Sequence, residues 1–300
     1  MSSTVRLTSP PPSPPPSPPP SPPPSPAPGN DSGGPLISVD VHPDDGGRIG
    51  QIMVGDVPLL IDVPESDGDI ESVKWGSYPM APWAGRVRTG RFCYFDADHQ
   101  LLLNQDDSGS GKPGHQHAMH GTVFAATWTI DSQQPATLEM SCPLDQQGSG
   151  WPFDGVAHQR IEVSGHQLRC DLSVTAGHHP SFPAVIGWHP WWRKPASLSF
   201  HPDAMYERDD VGLPTGKLVA PSPGPWDDCF VNTAPVTLHY DRENVSDVTV
   251  SSDCDHWVVY DEPEHATCVE PQSGPPDAFN LRPEIATSNR ALRRTMIVSW

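Results

Sequence analysis

The sequence predicts an all-β chain built as one large antiparallel β-sandwich, and three observations predict it. Apolar residues recur at alternate positions in short runs. Gly, Pro and Asp turns separate those runs along most of the 300 residues. No stretch of ten or more residues carries a convincing 3.6-residue apolar period. Neither a fixed internal repeat nor a second compositional regime interrupts the pattern, so a single folded domain is expected.

The chain begins MSSTVRLTS and then runs PPPSPPPSPPPSPPPSPAP over residues 10–28, which holds 14 of the 39 prolines. Proline fixes φ and donates no backbone hydrogen bond, so this segment reads as a polyproline II arm outside the core. Residues 1–35 are accordingly expected to be a disordered Pro/Ser-rich tail and linker, with the folded domain at 36–300. Such an arm is a ligand type for SH3- or WW-type modules, although its plainer reading is a passive tail. Strands are then expected within QIMVGDVPLLIDV (51–63), RFCYFDADHQLLLN (91–104) and ATWTI (126–130). HQRIEVSGHQLRCDLSV (158–174) puts Ile161 and Val163, then Leu168, Cys170, Leu172 and Val174, on alternate positions around a Ser-Gly-His turn. That is a hairpin with one buried face. DVTVSSDCDHWVVYDE (247–262) and RRTMIVSW (293–300) complete the set.

Charge narrows the partners. With 37 acidic against 18 basic residues, the net charge of −19 repels nucleic-acid backbones and anionic lipid. No run of about 18 apolar residues is present to span a bilayer. MSSTVRLTSPPPS lacks the apolar stretch of a secretory signal, so a cytoplasmic location is expected. Cysteines 93, 142, 170, 229, 254 and 268 show no C-x-x-C spacing. They read as free thiols in a reducing compartment.

The usual catalytic signatures are absent: no G-x-G-x-x-G opens a helix, no phosphate-binding G-x-x-x-x-G-K-[ST] occurs, and no G-x-S-x-G follows a strand. HQHAMHG gathers His115, His117 and His120, but the following GTVFAATW offers no carboxylate or thiol to complete a metal site. The sequence thus carries no metal or cofactor motif. Four stretches look chemically expensive. WGSYPMAPWAGRVRTGRF (75–92) holds Arg86 in a region too broken for a regular strand. HAMHG (117–121) sets His120 before a glycine, where a backbone can approach a ligand closely. IGWHPWW (186–192) surrounds His189 with Trp188, Trp191 and Trp192. CVEPQSGPPDAFN (268–280) carries Glu270 and Gln272, with the strand expected to end at Val269 and Glu270 to sit on the turn.

Singly, each has an ordinary explanation: a solvated turn acid, a satisfied core histidine, a surface arginine. Together they supply one carboxylate, two imidazoles, a guanidinium and flat aromatic rings. A sugar, with its apolar face and rim of hydroxyls, needs that combination. A carboxylate and an imidazole can act on it as base and acid.

Taken in order, WGSYPMAPWAGRVRTGRF, HAMHG, IGWHPWW, WDDCF and CVEPQSGPPDAFN resemble the aldose 1-epimerase (galactose mutarotase) family from about residue 45 to the C-terminus. The resemblance implies a β-supersandwich, no cofactor, and interconversion of the α and β anomers of a free hexose. Carried over, Glu270 is the base that takes the anomeric hydroxyl proton and His189 the acid that protonates the ring oxygen. His120 is a second histidine near that oxygen. Arg86 and Asp227 hold sugar hydroxyls, with Asp228 an alternative to Asp227, and Gln272 and Trp191 belong to the same wall. The GWHP wording departs from the best-known galactose mutarotases, which leaves the preferred sugar open. A hexose-6-phosphate 1-epimerase would share the acid–base pair but needs clustered cations, for which Arg86, Arg88, Arg91, Arg193 and Lys194 are candidates. A non-catalytic carbohydrate-binding protein is the other alternative.

Overall fold

The computed structural model describes residues 3–9, 37–63, 73–105, 116–242 and 245–300. The proline arm, and with it any SH3- or WW-type contact, lies outside them. Among the described residues the regular structure is almost all antiparallel β, in an eleven-stranded sheet, an eight-stranded sheet and three two-stranded ribbons. The larger sheet runs Val5–Thr8, Ile37–His42, Arg48–Val54, Ser77–Met80, Gly187–Arg193, Ala266–Gln272, His256–Tyr260, Asp227–Val231, Ala204–Arg208, Pro214–Val219, with Val57–Pro58 beside Arg48–Val54. The smaller runs Thr129–Gln134, Thr137–Pro143, Gly155–Ser164, Gln167–Ala176, Leu292–Ser299, Val245–Ser252, Val236–Arg242, Ser197–Ser199. The expected hairpin is the pair Gly155–Ser164 and Gln167–Ala176, closed at Ser164 and Gln167. Its predicted inward residues Ile161, Val163, Leu168, Cys170, Leu172 and Val174 are all buried. All six cysteines are free.

Three expectations need correction. Val5–Thr8 is not tail but a strand, registered on Ile37–His42 from Val5 opposite Val41 to Thr8 opposite Ser38, with Val5 and Leu7 buried. Four alternating residues in front of a proline run are too short a signal to stand out, and the neighbouring sheet edge supplies the rest. Ser77–Met80 is likewise a regular strand despite Pro79, paired with Gly187–Pro190. The strand expected to end at Val269 continues as Ala266–Gln272, with Glu270 opposite Val258 and Pro271 opposite Trp257.

The sheets meet through aromatic side chains. Trp188, Trp192 and Trp257 are among the largest fully buried side chains. Trp188 Nε1 donates to Gln159 Oε1 of the smaller sheet at 3.3 Å, while Gln159 Nε2 donates to Gly47 O at 2.7 Å. Because side chains alternate across a strand, Trp188 toward this core puts its neighbour His189 on the other face. That face is covered too, so Gly187–Trp192 and Ala266–Gln272 are buried throughout. Strands buried on both sides lose the polar alternation that marks half-exposed ones. Trp188→Ala is expected to cost about 3–5 kcal/mol of stability, read from urea unfolding of the purified protein. A loss under about 1 kcal/mol would mean that Trp188 does not join the two sheets.

Candidate active site

His189 and Glu270 stand on the two middle strands of the larger sheet. Gly187 pairs with Gln272 and Trp191 with Cys268, a register that sets His189 directly across from Glu270. No paired residues are assigned between those two points. Pro190, which has no N–H, lies in the gap. His189 Nε2 and Glu270 Oε1 are 3.3 Å apart, and the side chains are only 8% and 3% exposed.

The second histidine arrives from a loop on the covered face. Asn104 grips the preceding residue, donating from Nδ2 to Met119 O and accepting at Oδ1 from Met119 N. His120 N donates to Gly85 O at 2.8 Å. These bonds hold His120 at φ 62, a left-handed conformation that costs a non-glycine residue of order 1 kcal/mol or more. The following Gly121, at φ 85, packs where a Cβ would lie 2.0 Å from Ala81 O. Glycine is needed there for the chain's own close approach. Nδ1 of His120 meets Met80 Sδ at 3.0 Å, and Nε2 makes no hydrogen bond among the described residues. The two imidazole rings are 5.0 Å apart at 84°.

Around them lies one cavity of about 250 Å³. It is lined by all seven residues named from the sequence: Arg86, His120, His189, Trp191, Asp227, Glu270 and Gln272. Asp227 faces it while its neighbour Asp228 does not line it, as strand alternation requires. Gln272 Nε2 donates to Glu270 Oε2 at 3.1 Å, and Arg86 Nε donates to Gln105 Oε1 at 3.1 Å. The Trp191 ring stacks on His189 at 5.5 Å and 6°. Among the described residues His189 Nδ1 and Gln272 Oε1 are buried with no hydrogen-bond partner. Unpaired buried polar atoms are costly, and here they edge a sugar-sized space.

Sequence reasoning missed several neighbours. Tyr78 packs 4.9 Å from His189 and 5.8 Å from His120, from inside the quoted block WGSYPM. Val258, Tyr260 and Glu262 line the cavity at alternate positions of WVVYDE, a period-two signal that the sequence carries. Lys74 also lines it. Cys268, two residues before Glu270 and therefore on its face, becomes visible once the strand is carried through to Gln272. His115 lies outside the described residues. His117 is buried away from the cavity, accepting at Nδ1 from Thr89 N. A different trio, His189, Cys268 and Glu270, brings one potential ligand atom each within 4.8 Å. Ligation of a thiophilic cation would take lone pairs of both His189 and Glu270, so metal binding and proton transfer are alternative uses of the same atoms.

Burial is the first cause of every pKa shift in the site. It raises the Glu270 carboxyl well above the usual range, helped by the charge of Asp227 and opposed by Arg86 and the Gln272 hydrogen bond. It lowers the His189 imidazole to about 3, with Arg86 next in the same direction. His120 is held well below its ordinary value by burial, then by His189 and Arg86. The favoured state is a carboxylic acid beside a neutral imidazole. One transfer across the gap converts it to carboxylate and imidazolium, so the pair can exchange a single proton.

These shifts have opposite signs in stability. The folded protein binds more protons than the unfolded chain at Glu270 above about pH 4.3, so that group's contribution falls as pH rises. At His189 it binds fewer between about pH 3 and 6.5, so stability rises with pH through that window. Glu270→Gln removes only the first effect. The Tm of Glu270→Gln relative to wild type is expected to increase from pH 4 to pH 8. A difference independent of pH would rule out a buried protonated Glu270.

Comparison with known proteins agrees with this architecture. A family model described as aldose 1-epimerase matches residues 44–290. The uncharacterized protein YphB of Escherichia coli K12 is 28% identical over 119 residues, 38% of this chain, and the chain spans only 36% of that relative's length. A galactose mutarotase-like protein from Clostridium acetobutylicum superposes with a TM-score of 0.74 at 16% identity, covering 87% of this chain and 91% of its own. Galactose 1-epimerase from Lactobacillus acidophilus gives 0.69 at 14% identity, with 100% and 98% covered. At such identities the structures speak for the fold alone. The family match is what takes in both central strands and the loop bearing His120, and by it the chain belongs to the aldose 1-epimerase family.

Proposed function

We propose that this protein is an aldose 1-epimerase that interconverts the α and β anomers of a free aldohexose by acid–base ring opening and reclosure. The observation that carries the reading is the 3.3 Å approach of His189 Nε2 to Glu270 Oε1 beside the cavity. O1 and O5 of a pyranose are bonded to the same carbon, so an acid and a base serving both must be close neighbours. Family membership supports the same chemistry.

Glu270 as carboxylate takes the proton from O1 while His189 as imidazolium delivers one to O5. The C1–O5 bond breaks and a C1 aldehyde forms. The pair is then carboxylic acid and neutral imidazole, the state that burial favours at rest. Rotation about C1–C2 presents the other carbonyl face. Reclosure returns one proton from Glu270 to O1 and removes the O5 proton to His189. His120 supports that exchange near the ring oxygen, Arg86, Asp227 and Gln272 hold hydroxyls, and Trp191 offers a flat apolar surface.

The cavity also favours an unphosphorylated sugar. Of the five cations that the sequence offered for a phosphate, only Arg86 lines it, and Lys74 is the other cation there. Arg88 is instead paired with Asp209 and Asp277, and Lys194 donates to Asp261 O. Lys74 and Arg86 face Asp227, Glu262 and Glu270 there, an unfriendly balance for a dianion. About 250 Å³ falls below the roughly 300–1,000 Å³ of pockets for drug-sized ligands and suits a single ring.

A coupled mutarotation assay on α-D-glucose, α-D-galactose and glucose 6-phosphate tests the reading, with uncatalysed mutarotation subtracted. Glu270→Gln is expected to lower kcat by about 10²- to 10⁴-fold with an unchanged circular dichroism spectrum. Wild-type rates from that variant would sink the assignment of the base. A higher kcat/KM for glucose 6-phosphate than for glucose would favour the phosphate epimerase. Calorimetric sugar binding without any acceleration would favour a binding protein.

A further inference from the structure

Asp227 reaches the cavity from the strand Asp227–Val231, whose outer neighbour is Ala204–Arg208. That pairing sets Ala204 opposite Val231 and Met205 opposite Phe230. The strand is irregular between Tyr206 and Arg208, and it is the Arg208 side chain that reaches back to Asp227. The guanidinium engages three acceptors there: Nη1 donates to Asp227 O and, at 3.2 Å, to Asp227 Oδ2, while Nε lies 3.0 Å from Asp228 Oδ1. Asp227 and Asp228 point to opposite sides of their strand, so a single residue reaches both only from the strand edge, where Arg208 stands. Among the described residues Asp227 Oδ1 makes no hydrogen bond, and Arg208 is the sole side-chain partner of its carboxylate. Arg208 itself does not line the cavity.

We infer that Arg208 is the positioning residue for Asp227, fixing Oδ2 and the strand end so that the other oxygen is presented to a sugar hydroxyl. The inference rests on the proposed role of Asp227 as a hydroxyl-holding residue. The geometry explains why arginine stands here: its planar fork spans two acceptors at fixed angles, whereas a lysine ammonium is a point charge on a flexible stem. It also explains how two adjacent acids are accommodated near Glu270. Without the guanidinium, Asp227 would be free to rotate and to turn away from Asp228, and its charge would stand uncompensated beside a buried carboxyl. Arg208 and Asp227 are each about one-third exposed, so that pair adds little to stability. Asp228 is only 14% exposed, so loss of its contact with Arg208 is what a stability measurement registers, and the orientation of Asp227 is read from KM.

The test uses the full chain and the mutarotation assay. Arg208→Gln is expected to raise KM about 10-fold, the loss of one charge-assisted hydrogen bond, with kcat within about threefold of wild type, while any fall in Tm reports the lost contact with Asp228. Arg208→Lys should fall between. If Arg208→Gln fails to fold, Arg208→Lys carries the same comparison. Asp227→Asn alone should raise KM, and in that background Arg208→Gln should add less than about twofold, because residues acting through one another are not additive. Multiplicative effects, or a wild-type KM for Arg208→Gln, would overturn the inference. A wild-type KM for Asp227→Asn would remove the role of Asp227 itself, and the positioning argument with it.

Discussion

The structure turns on one constraint, the removal of a carboxyl group and two imidazoles from water at the middle of a β-sheet. Isolated ionised groups are strongly disfavoured in such a place, and the ordinary responses are neutralisation and pairing. Both are present. Burial shifts Glu270 and His189 toward their neutral forms, the two face each other across the open ladder, and Gln272 bonds the carboxyl. Prolines help to make this geometry available. Pro190 cannot donate to a ladder, and the unpaired interval beside it is where His189 and Glu270 meet. A fully laddered pair of strands would have placed the same side chains on a flatter surface with less room for a reacting atom between them.

The charges around the site follow from the same burial. Arg48 lies wholly inside, donating to the carbonyls of Asp45, Trp75 and Phe124 and resting 4.2 Å over the Trp75 ring. Burial lowers its guanidinium to about 10, yet it stays charged at neutral pH, and its field is one of those that keep His189 neutral. Asp227 acts in the opposite sense on Glu270, pushing that carboxyl further up. A fixed cation behind the imidazole and a held anion beside the carboxyl therefore both favour the uncharged pair. Arg86 favours the neutral imidazole but the ionised carboxyl, so it moderates the balance from the cavity wall.

Much of this was legible in the sequence because its signals are local. The hairpin at 158–174 follows from period-two alternation, and each predicted inward residue is buried. The site residues stood out because tryptophans, histidines and a lone glutamate are costly where they occur, and because their order along the chain is that of a known family. Proline was the cause of some of the misreadings. Pro79 and Pro271 made Ser77–Met80 and the end of Ala266–Gln272 look like loops, since a single strand carries no information about which of its N–H groups a neighbour needs. The strand Val5–Thr8 was hidden in the same way, by the proline run that follows it.

By itself the amino-acid sequence determined the fold class, the polar residues worth suspecting and their chemical types, since alternation and composition are properties of short segments. Only the tertiary structure decided that Glu270 lies across from His189, that Asp227 and not Asp228 faces the cavity, and that Arg208 reaches both. Those relations join strands far apart in the chain, and register between such strands is set by packing against the opposite sheet, which no short segment encodes.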